Sequence, residues 1–599
     1  MSLQDAVNDK ISQGFLIHNL ESYLEAVKRI FWLEDKVNIN LAPVHLSTVV
    51  KEGETECPMK RDQQRQGKEQ KDIWKTRMAE HRIGILASLF LLEVLLLDAA
   101  KILTISTVGG SHYVVINHVS QILQDHGHNV TNLLNEKFII PEFKVEKISY
   151  QVINWHLSED KQKEIGKRRQ LLVKELVHNR FNHHTNMKIY EYFVDLCSHL
   201  LSRKDIMDSL RNKNFDLLFL DATDPCVFLI AEKLGKQFVA FLPTHFSIID
   251  YGIPHPLSFV PGFGSSLTDQ MYFWARVKNF LMSLDSSVKQ REILSQYDSI
   301  IQEHFAEGSR PILSHLPQKA ELWFVNSDFA LDFAHPMLPN MVYVGGLTDK
   351  PVRSIPQDLE DFIIKFGDSG FVLVALGSIA TLHQTRELIK EMNSAFAHLL
   401  QGVMWTCKDA HWPKDVSMAP NVKIMDWLPQ TDLLAHPRIR LFVTHGGMNS
   451  IMEAIQHGVP MVGIPFFGDQ VKNMVVVEAK KIGVSVQLET LKAETFTHTL
   501  KEVIEDKRYK SAAMAARAIR RSHPLTPSQR LVGWIDHILQ TGGGAHLKPH
   551  GFQQPWHVQS LLDVLVFLLG LTVGTLWLLK KMLGLLLRSL GVARKEKKD

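Results

Sequence analysis

The sequence predicts an α/β protein: two doubly wound, Rossmann-like domains of parallel sheet facing a cleft, followed by one C-terminal transmembrane helix. Three observations predict it. From Lys101 onward, short β-rich apolar runs alternate with longer mixed segments, as in parallel strands buried on both faces and joined by helices. Eleven such runs are too many for one tidy sheet, and the polar stretch "TDKPVRSIPQDLEDF" (348–362) suits a linker between two halves. Near the end, "LLDVLVFLLGLTVGTLWLL" (561–579) is 19 residues long, close to the ~20 that cross a bilayer as a helix.

Taken in order, residues 1–77 show no core pattern and carry the charged run "MKRDQQRQGKEQKDIWKTR". They read as an atypical extension, disordered or a gene-model artefact, with Met78 as the natural start. In "MAEHRIGILASLFLLEVLLLDAAK", Arg82 gives a basic flank, Ile83 to Leu97 is almost wholly apolar, and Asp98-Ala99-Ala100 is a small-residue exit. That pattern predicts a secretory signal over 78–99, cleaved near Ala99. The strands are expected at 101–106, 215–220, 237–242, 321–327, 341–347, 371–378, 402–407, 421–427, 440–447, 460–465 and 483–488. An N-terminal domain then covers 100–350 and a C-terminal domain 351–545, with a juxtamembrane segment at 546–560, the span at 561–580 and a basic tail at 581–599. The cations that follow the span place the C-terminus in the cytosol by the positive-inside rule, so the body lies in a lumen. Asn129-Val130-Thr131 is then a glycosylation acceptor. The terminal "KEKKD" resembles a di-lysine retrieval signal of endoplasmic-reticulum membrane proteins.

The formal charge of +3 provides no global field for nucleic acid or another polyanion. Four cysteines, Cys57, Cys197, Cys226 and Cys407, form neither a metal-ligand spacing nor a dense disulfide framework, so one disulfide or none is expected.

Chemistry concentrates in "LFVTHGGMNSIMEAIQHGVPMVGIPFFGDQ" (441–470). A strand ends at His445-Gly446-Gly447, and a helix follows whose first-turn amides the glycines leave uncovered. Free N–H groups and the helix dipole there suit a diphosphate, and His445 can donate to it. Glu453 lies one turn beyond Asn449 on the same face and suits vicinal hydroxyls. Trp427, at another strand end, offers a flat face for a base, with Gln430 close behind. Asp469-Gln470 pairs an acceptor with an amide, the mix that polyol hydroxyls need.

Trp427…Gln430…His445-Gly446-Gly447…Asn449-Ser450…Glu453…Asp469-Gln470 resembles the nucleotide-sugar signature of the UDP-glycosyltransferases, and most closely their membrane-bound animal, glucuronosyltransferase-like branch. "AKILTISTVGGSHY", "AELWFVNSDF" and "RLVGWIDHILQTGG" are most similar to the third mammalian UDP-glycosyltransferase family. The resemblance covers roughly Met78 to Asp599 and implies a GT-B type fold. It implies that Trp427 stacks on uracil, Gln430 holds the nucleoside and Glu453 binds ribose. His445, Gly447, Asn449 and Ser450, with Ser378 at the end of "VALGS", would hold the diphosphate, and Asp469 and Gln470 the transferred sugar. Met448 departs from the family, whose members carry a small or amide residue there.

The family pattern also makes His112, in "STVGGSHY", the general base that deprotonates an acceptor hydroxyl. Its orienting carboxylate would be Asp221. Asp224 competes for that role, or caps the next helix. The resemblance thus implies an inverting transferase that conjugates small lipophilic hydroxyl compounds, such as xenobiotics, steroids or bile acids. The UDP-sugar is a co-substrate; neither cofactor nor metal is expected. The wall Phe466-Phe467-Gly468 and the lack of a cation in "GIPFFGDQ" favour UDP-glucose or UDP-xylose over UDP-N-acetylglucosamine and UDP-glucuronate. The apolar, proline-rich 245–264, within an acceptor region running from Thr244 to Leu284, suits a lipophilic acceptor. The aromatic 271–284 reads either as a helix resting on the membrane surface or as a core or lid helix. A silent sugar-nucleotide-binding partner subunit is the alternative class. Oligomers with itself or with related transferases stay open.

Overall fold

The computed structural model describes residues 99–135, 148–178, 182–244, 251–377 and 384–595. The extension 1–77, the signal up to Asp98 and the expected phosphate ligand Ser378 lie outside the described residues.

A seven-stranded parallel sheet is built from β1 (Lys101–Ile105), β2 (Asn129–Leu134), β3 (Gln151–Asn154), β4 (Leu217–Asp221), β5 (Phe238–Leu242), β6 (Trp323–Val325) and β7 (Met341–Tyr343). Its order is β3-β2-β1-β4-β5-β6-β7. A six-stranded parallel sheet follows: β8 (Phe371–Ala375), β9 (Gly402–Thr406), β10 (Val422–Met425), β11 (Ile439–Thr444), β12 (Met461–Gly463) and β13 (Gly483–Ser485), in the order β10-β9-β8-β11-β12-β13. Each strand expected from sequence is present. β2 and β3 add to them.

The central strands β4, β5 and β8 are buried at every position because helices cover both faces. The helices used below are α1 (Ser111–Asp125), α2 (His183–Ser202), α3 (Cys226–Leu234), α4 (Phe273–Ser295), α5 (Gln430–Ala435), α6 (Met448–His457), α7 (Gln470–Ala479), α8 (Lys507–Arg521), α9 (Pro527–Thr541) and α10 (Leu562–Lys595). One disulfide, Cys197–Cys226, ties α2 to α3, and Cys407 is a buried free thiol.

Strand order reverses between β1 and β4 in the first sheet and between β8 and β11 in the second. In doubly wound sheets ligands bind beyond the carboxyl ends of the strands at such a switch point. Both domains carry their polar motifs there.

Two boundaries differ from those expected. Helix α9 falls within the 351–545 segment assigned to the second domain, yet its Leu531, Val532, Ile535 and Ile538 pack with Ile102, Val115, Val239 and Phe324 of the first. Its apolar stripe needs a partner, and the first sheet's face provides one. The C-terminal helix does not stop at 580 either. Lys580-Lys581 is followed by a further apolar turn, and α10 runs unbroken to Lys595, with Leu562–Ser589 long and apolar enough to span a membrane.

Candidate active site

His112 is the second residue of α1, whose N-cap is Gly110 (φ 69°) at the end of the five-residue loop 106–110 that follows β1. Its Nδ1 is 3.0 Å from Oδ2 of Asp221, the last residue of β4. Ser106 donates to the same carboxylate oxygen at 2.8 Å, and Thr223 donates to the other from its hydroxyl (2.7 Å) and its backbone N–H (3.2 Å). Burial opposes ionisation of Asp221, but the charge of His112 and the bonds from His112, Thr223 and Ser106 outweigh it and hold the carboxyl below its ordinary range. For His112, burial pulls downward, while the charge and hydrogen bond of Asp221, with a smaller pull from Asp469, raise it above its ordinary value. The imidazole keeps 21% of its surface exposed, so Nδ1 is held and Nε2 is left as the basic atom.

Asp224 is not part of this pair. It accepts from Thr107 Oγ1 (2.6 Å), Tyr297 Oη (2.7 Å) and the Cys226 backbone N–H (2.9 Å) at the start of α3. Burial pushes it up to about 6 against those bonds.

On the second domain, His445 follows β11 and is wedged between two glycine turns. A Cβ on Gly377 (φ 78°) would lie 2.6 Å from His445 Nε2, and one on Gly447 would meet the same ring. The glycines therefore do more than uncover amides; they make room for the imidazole. Burial pushes His445 down to about 4, so it is neutral and can donate a hydrogen bond without bringing a charge. Its Nδ1 is buried without a partner among the described residues. Met448, at the first position of α6, is turned into the core, so its side chain does not crowd the turn.

Trp427, just beyond β10, is 49% exposed and offers its face at the surface. Behind it, Gln430 Nε2 reaches Ser450 Oγ at 3.5 Å, and Thr431 Oγ1 donates to Glu453 Oε2 at 2.9 Å. These contacts fix α5 against α6. Burial raises the pKa of Glu453 from its ordinary value, against the hydrogen bonds from Thr431 and Gln430.

Asp469 caps α7 and accepts from Asn473 Nδ2 at 2.6 Å. Burial raises its pKa, opposed by Asn473 and by the charge of His112, so Asp469 and His112 sense each other across the cleft. Gln470 Oε1 accepts from the backbone N–H groups of Phe466 (2.8 Å) and Phe467 (3.2 Å), which shapes the loop in front of the helix. Only its amide end remains for a ligand.

Residues 100–598 match the family described as UDP-glucoronosyl and UDP-glucosyl transferase. The chain belongs to this family. Mouse UDP-glucuronosyltransferase 3A2 is 69% identical over 521 residues, 87% of this chain and 100% of the relative. Human UDP-glucuronosyltransferase 3A2 is 63% identical over 522 residues, with the same coverage of each. Among solved structures, the glycotransferase of kitacinnamycin superposes with a TM-score of 0.51 at 16% identity, covering 73% of this chain and 97% of that one. That likeness is one of fold, the two-domain GT-B arrangement.

In this UDP-glycosyltransferase some site residues escaped the sequence reading. Asn326, after β6, donates from Nδ2 to Asn449 Oδ1 (2.9 Å) and to the Pro243 carbonyl (3.2 Å). Asn449, expected to face phosphate, is thus engaged with the first domain through its carbonyl oxygen. Asn473 also donates to the Gly446 carbonyl at 3.0 Å, which ties α7 to the phosphate turn. Both asparagines lie within the stretches quoted for the fold or beside the motif, but nothing local marks an interdomain bond. Around the acceptor loop, buried Asn279 of α4 holds the Leu257 and Val260 carbonyls at 2.9 and 2.8 Å and accepts from the Gly262 N–H. Along the stretch 273–284 the helix exposes Phe273, Trp274, Phe280, Leu281 and Leu284, whereas Ile293 near its end is buried in the core of the first domain. Asn129 is exposed at the start of β2, while Thr131 of its sequon is buried.

Proposed function

We propose that this UDP-glycosyltransferase moves a neutral sugar, glucose or xylose, from its UDP ester to a hydroxyl of a small lipophilic acceptor, with inversion, at the luminal face of the endoplasmic-reticulum membrane. The observation that carries the reading is the His112–Asp221 pair facing the sugar motif of the other domain. His112 Nε2 takes the acceptor's proton as its oxygen attacks the anomeric carbon. The bond from that carbon to the UDP β-phosphate oxygen breaks on the opposite face, so an α-linked donor yields a β-glycoside. Asp221 stabilises the imidazolium that forms. The leaving diphosphate is received by the first-turn amides of α6 and by neutral His445, whose partnerless buried nitrogen supports a ligand there. No cofactor is required for these steps.

Two features support a neutral sugar. Asp469, the acidic member of the sugar motif, would repel a uronate. The nearest lysine in sequence, Lys472, is buried and spends its ammonium on the Leu267 carbonyl at 3.1 Å and the Phe333 ring. A burial-lowered pKa of about 7 further weakens it as a counter-charge. The relatives' names favour the second reading, glucuronate transfer. Offering UDP-glucose, UDP-xylose, UDP-N-acetylglucosamine and UDP-glucuronate in turn to solubilised enzyme with one phenolic acceptor decides between them. Fastest turnover with UDP-glucuronate overturns the neutral-sugar reading. Loss of a gel-mobility shift in Asn129→Gln, after one in the wild type, tests the luminal topology.

A further inference from the structure

At the end of α1 remote from His112, three ligand-bearing side chains converge from chain segments 410 positions apart. His126 caps the C-terminus of α1, His128 stands one residue before β2, and Asp536 lies on α9. Asp536 Oδ2 is 3.0 Å from His126 Nε2, and Oδ1 is 3.1 Å from His128 Nε2. The candidate donor atoms of all three groups lie within 4.8 Å of one another. His128 is nearly buried, whereas His126 and Asp536 keep 34% and 21% of their side-chain surface exposed, which leaves an entry path from solvent.

Two imidazole nitrogens and a carboxylate form a donor set for borderline divalent metals, and zinc accepts it in a tetrahedron with water in the remaining place. The geometry points to a divalent-metal site, zinc its fitting occupant, held by His126 Nε2, His128 Nε2 and the Asp536 carboxylate, which staples α9 onto the N-terminal domain. His126 lies fourteen positions beyond His112 along α1 and its cap, ~21 Å at 1.5 Å per residue, so the site stands apart from the transfer chemistry. Its role is mechanical. Helix α9 returns to the first sheet after the chain has passed through the second domain, and a bond across His128 and Asp536 holds that return. His128 Nδ1 is buried without a partner among the described residues, so none of their acceptors locks this imidazole from behind. Outer partners of that kind are worth about 10–100-fold in metal affinity, which makes the site exchangeable, unlike a closed structural zinc.

Full-length, detergent-solubilised enzyme, stripped with chelator and titrated with Zn²⁺, should bind one ion per chain and raise its thermal midpoint by roughly 2–4 °C at saturation. Co²⁺ should give visible absorption bands of tetrahedral intensity. His126→Ala and Asp536→Asn should each weaken zinc binding at least tenfold. His126 is the more exposed ligand, so its variant stays interpretable if Asp536→Asn fails to fold. A second imidazole pair lies close by, His537 and His546, with Nε2 atoms 2.8 Å apart; His537→Ala should leave binding intact. The proposal is overturned if the wild type binds no zinc, if binding survives His126→Ala undiminished, or if His537→Ala alone removes it.

Discussion

As the proposed base, His112 acts only while neutral, and its surroundings set the pH at which that holds. Burial favours the neutral ring, but the charge and hydrogen bond of Asp221 outweigh it and lift the pKa above its ordinary ~6.5. The sign follows: below the raised pKa the ring is protonated and the enzyme idle, so kcat/KM climbs as pH rises through it. Asp221→Asn removes the counter-charge and leaves burial unopposed. The acid limb should therefore shift to lower pH while the plateau falls about 10²–10⁴-fold, because the imidazolium is no longer stabilised and the tautomer no longer fixed. A pH profile of kcat/KM for both proteins measures this; a limb that stays put or moves upward removes Asp221 from the role. The sequence alone left Asp221 and Asp224 in competition, since both follow one strand. What separates them is contact with residues far along the chain: Tyr297 and Thr107 saturate Asp224, while His112 takes Asp221.

Between β11 and α6 the glycines are a packing device as much as an anion cradle. Gly447 has φ −68°, a conformation alanine adopts freely, so Gly447→Ala tests sterics without backbone strain. The new methyl would lie too close to His445 Nε2, so the ring, which Gly377 also approaches closely, must shift. Overpacking of this kind costs about 1–3 kcal/mol. The variant should raise the KM for UDP-sugar more than it lowers kcat, with the acceptor KM unchanged; unaltered donor kinetics would show that the ring does not define the phosphate site. Strand–turn–helix units like this one were legible because apolar runs end abruptly in glycine. β2 was not, because its middle is polar: Thr131 and Asn132 are buried, and Asn132 bonds Ser120 of α1. β3 was not, because "QVIN" is a short edge strand of mixed character. The return of α9 to the first sheet is also invisible locally, since an amphipathic stripe does not say which sheet will cover it.

Arg520 of α8 is a buried polar tie between the two domains, with hydrogen bonds to both sides. Its guanidinium reaches Asp349 Oδ2 at 2.6 Å in the interdomain linker, the Gly345 carbonyl at 3.3 Å just beyond β7, and the Met452 carbonyl (2.9 Å) and Gln456 (3.1 Å) on α6. One side chain thus holds the linker against the helix whose first turn is the proposed phosphate site. Burial raises the Asp349 carboxyl, and Arg520 only partly offsets it. Removing Arg520 leaves that carboxylate in place without its main partner, and breaking a buried pair in this way costs about 3–5 kcal/mol. Arg520→Ala should lower the thermal midpoint at neutral pH and raise the donor KM as α6 loosens. Arg520→Lys keeps the charge but cannot span four acceptors, so it should fall between the two. The penalty should shrink on acidification, because a raised carboxyl pKa means Asp349 takes up a proton early and then needs no cation. Melting curves of the three proteins across that range test the argument. A pH-independent penalty would assign Arg520 to packing alone, and no penalty would mean that the linker is held by other contacts.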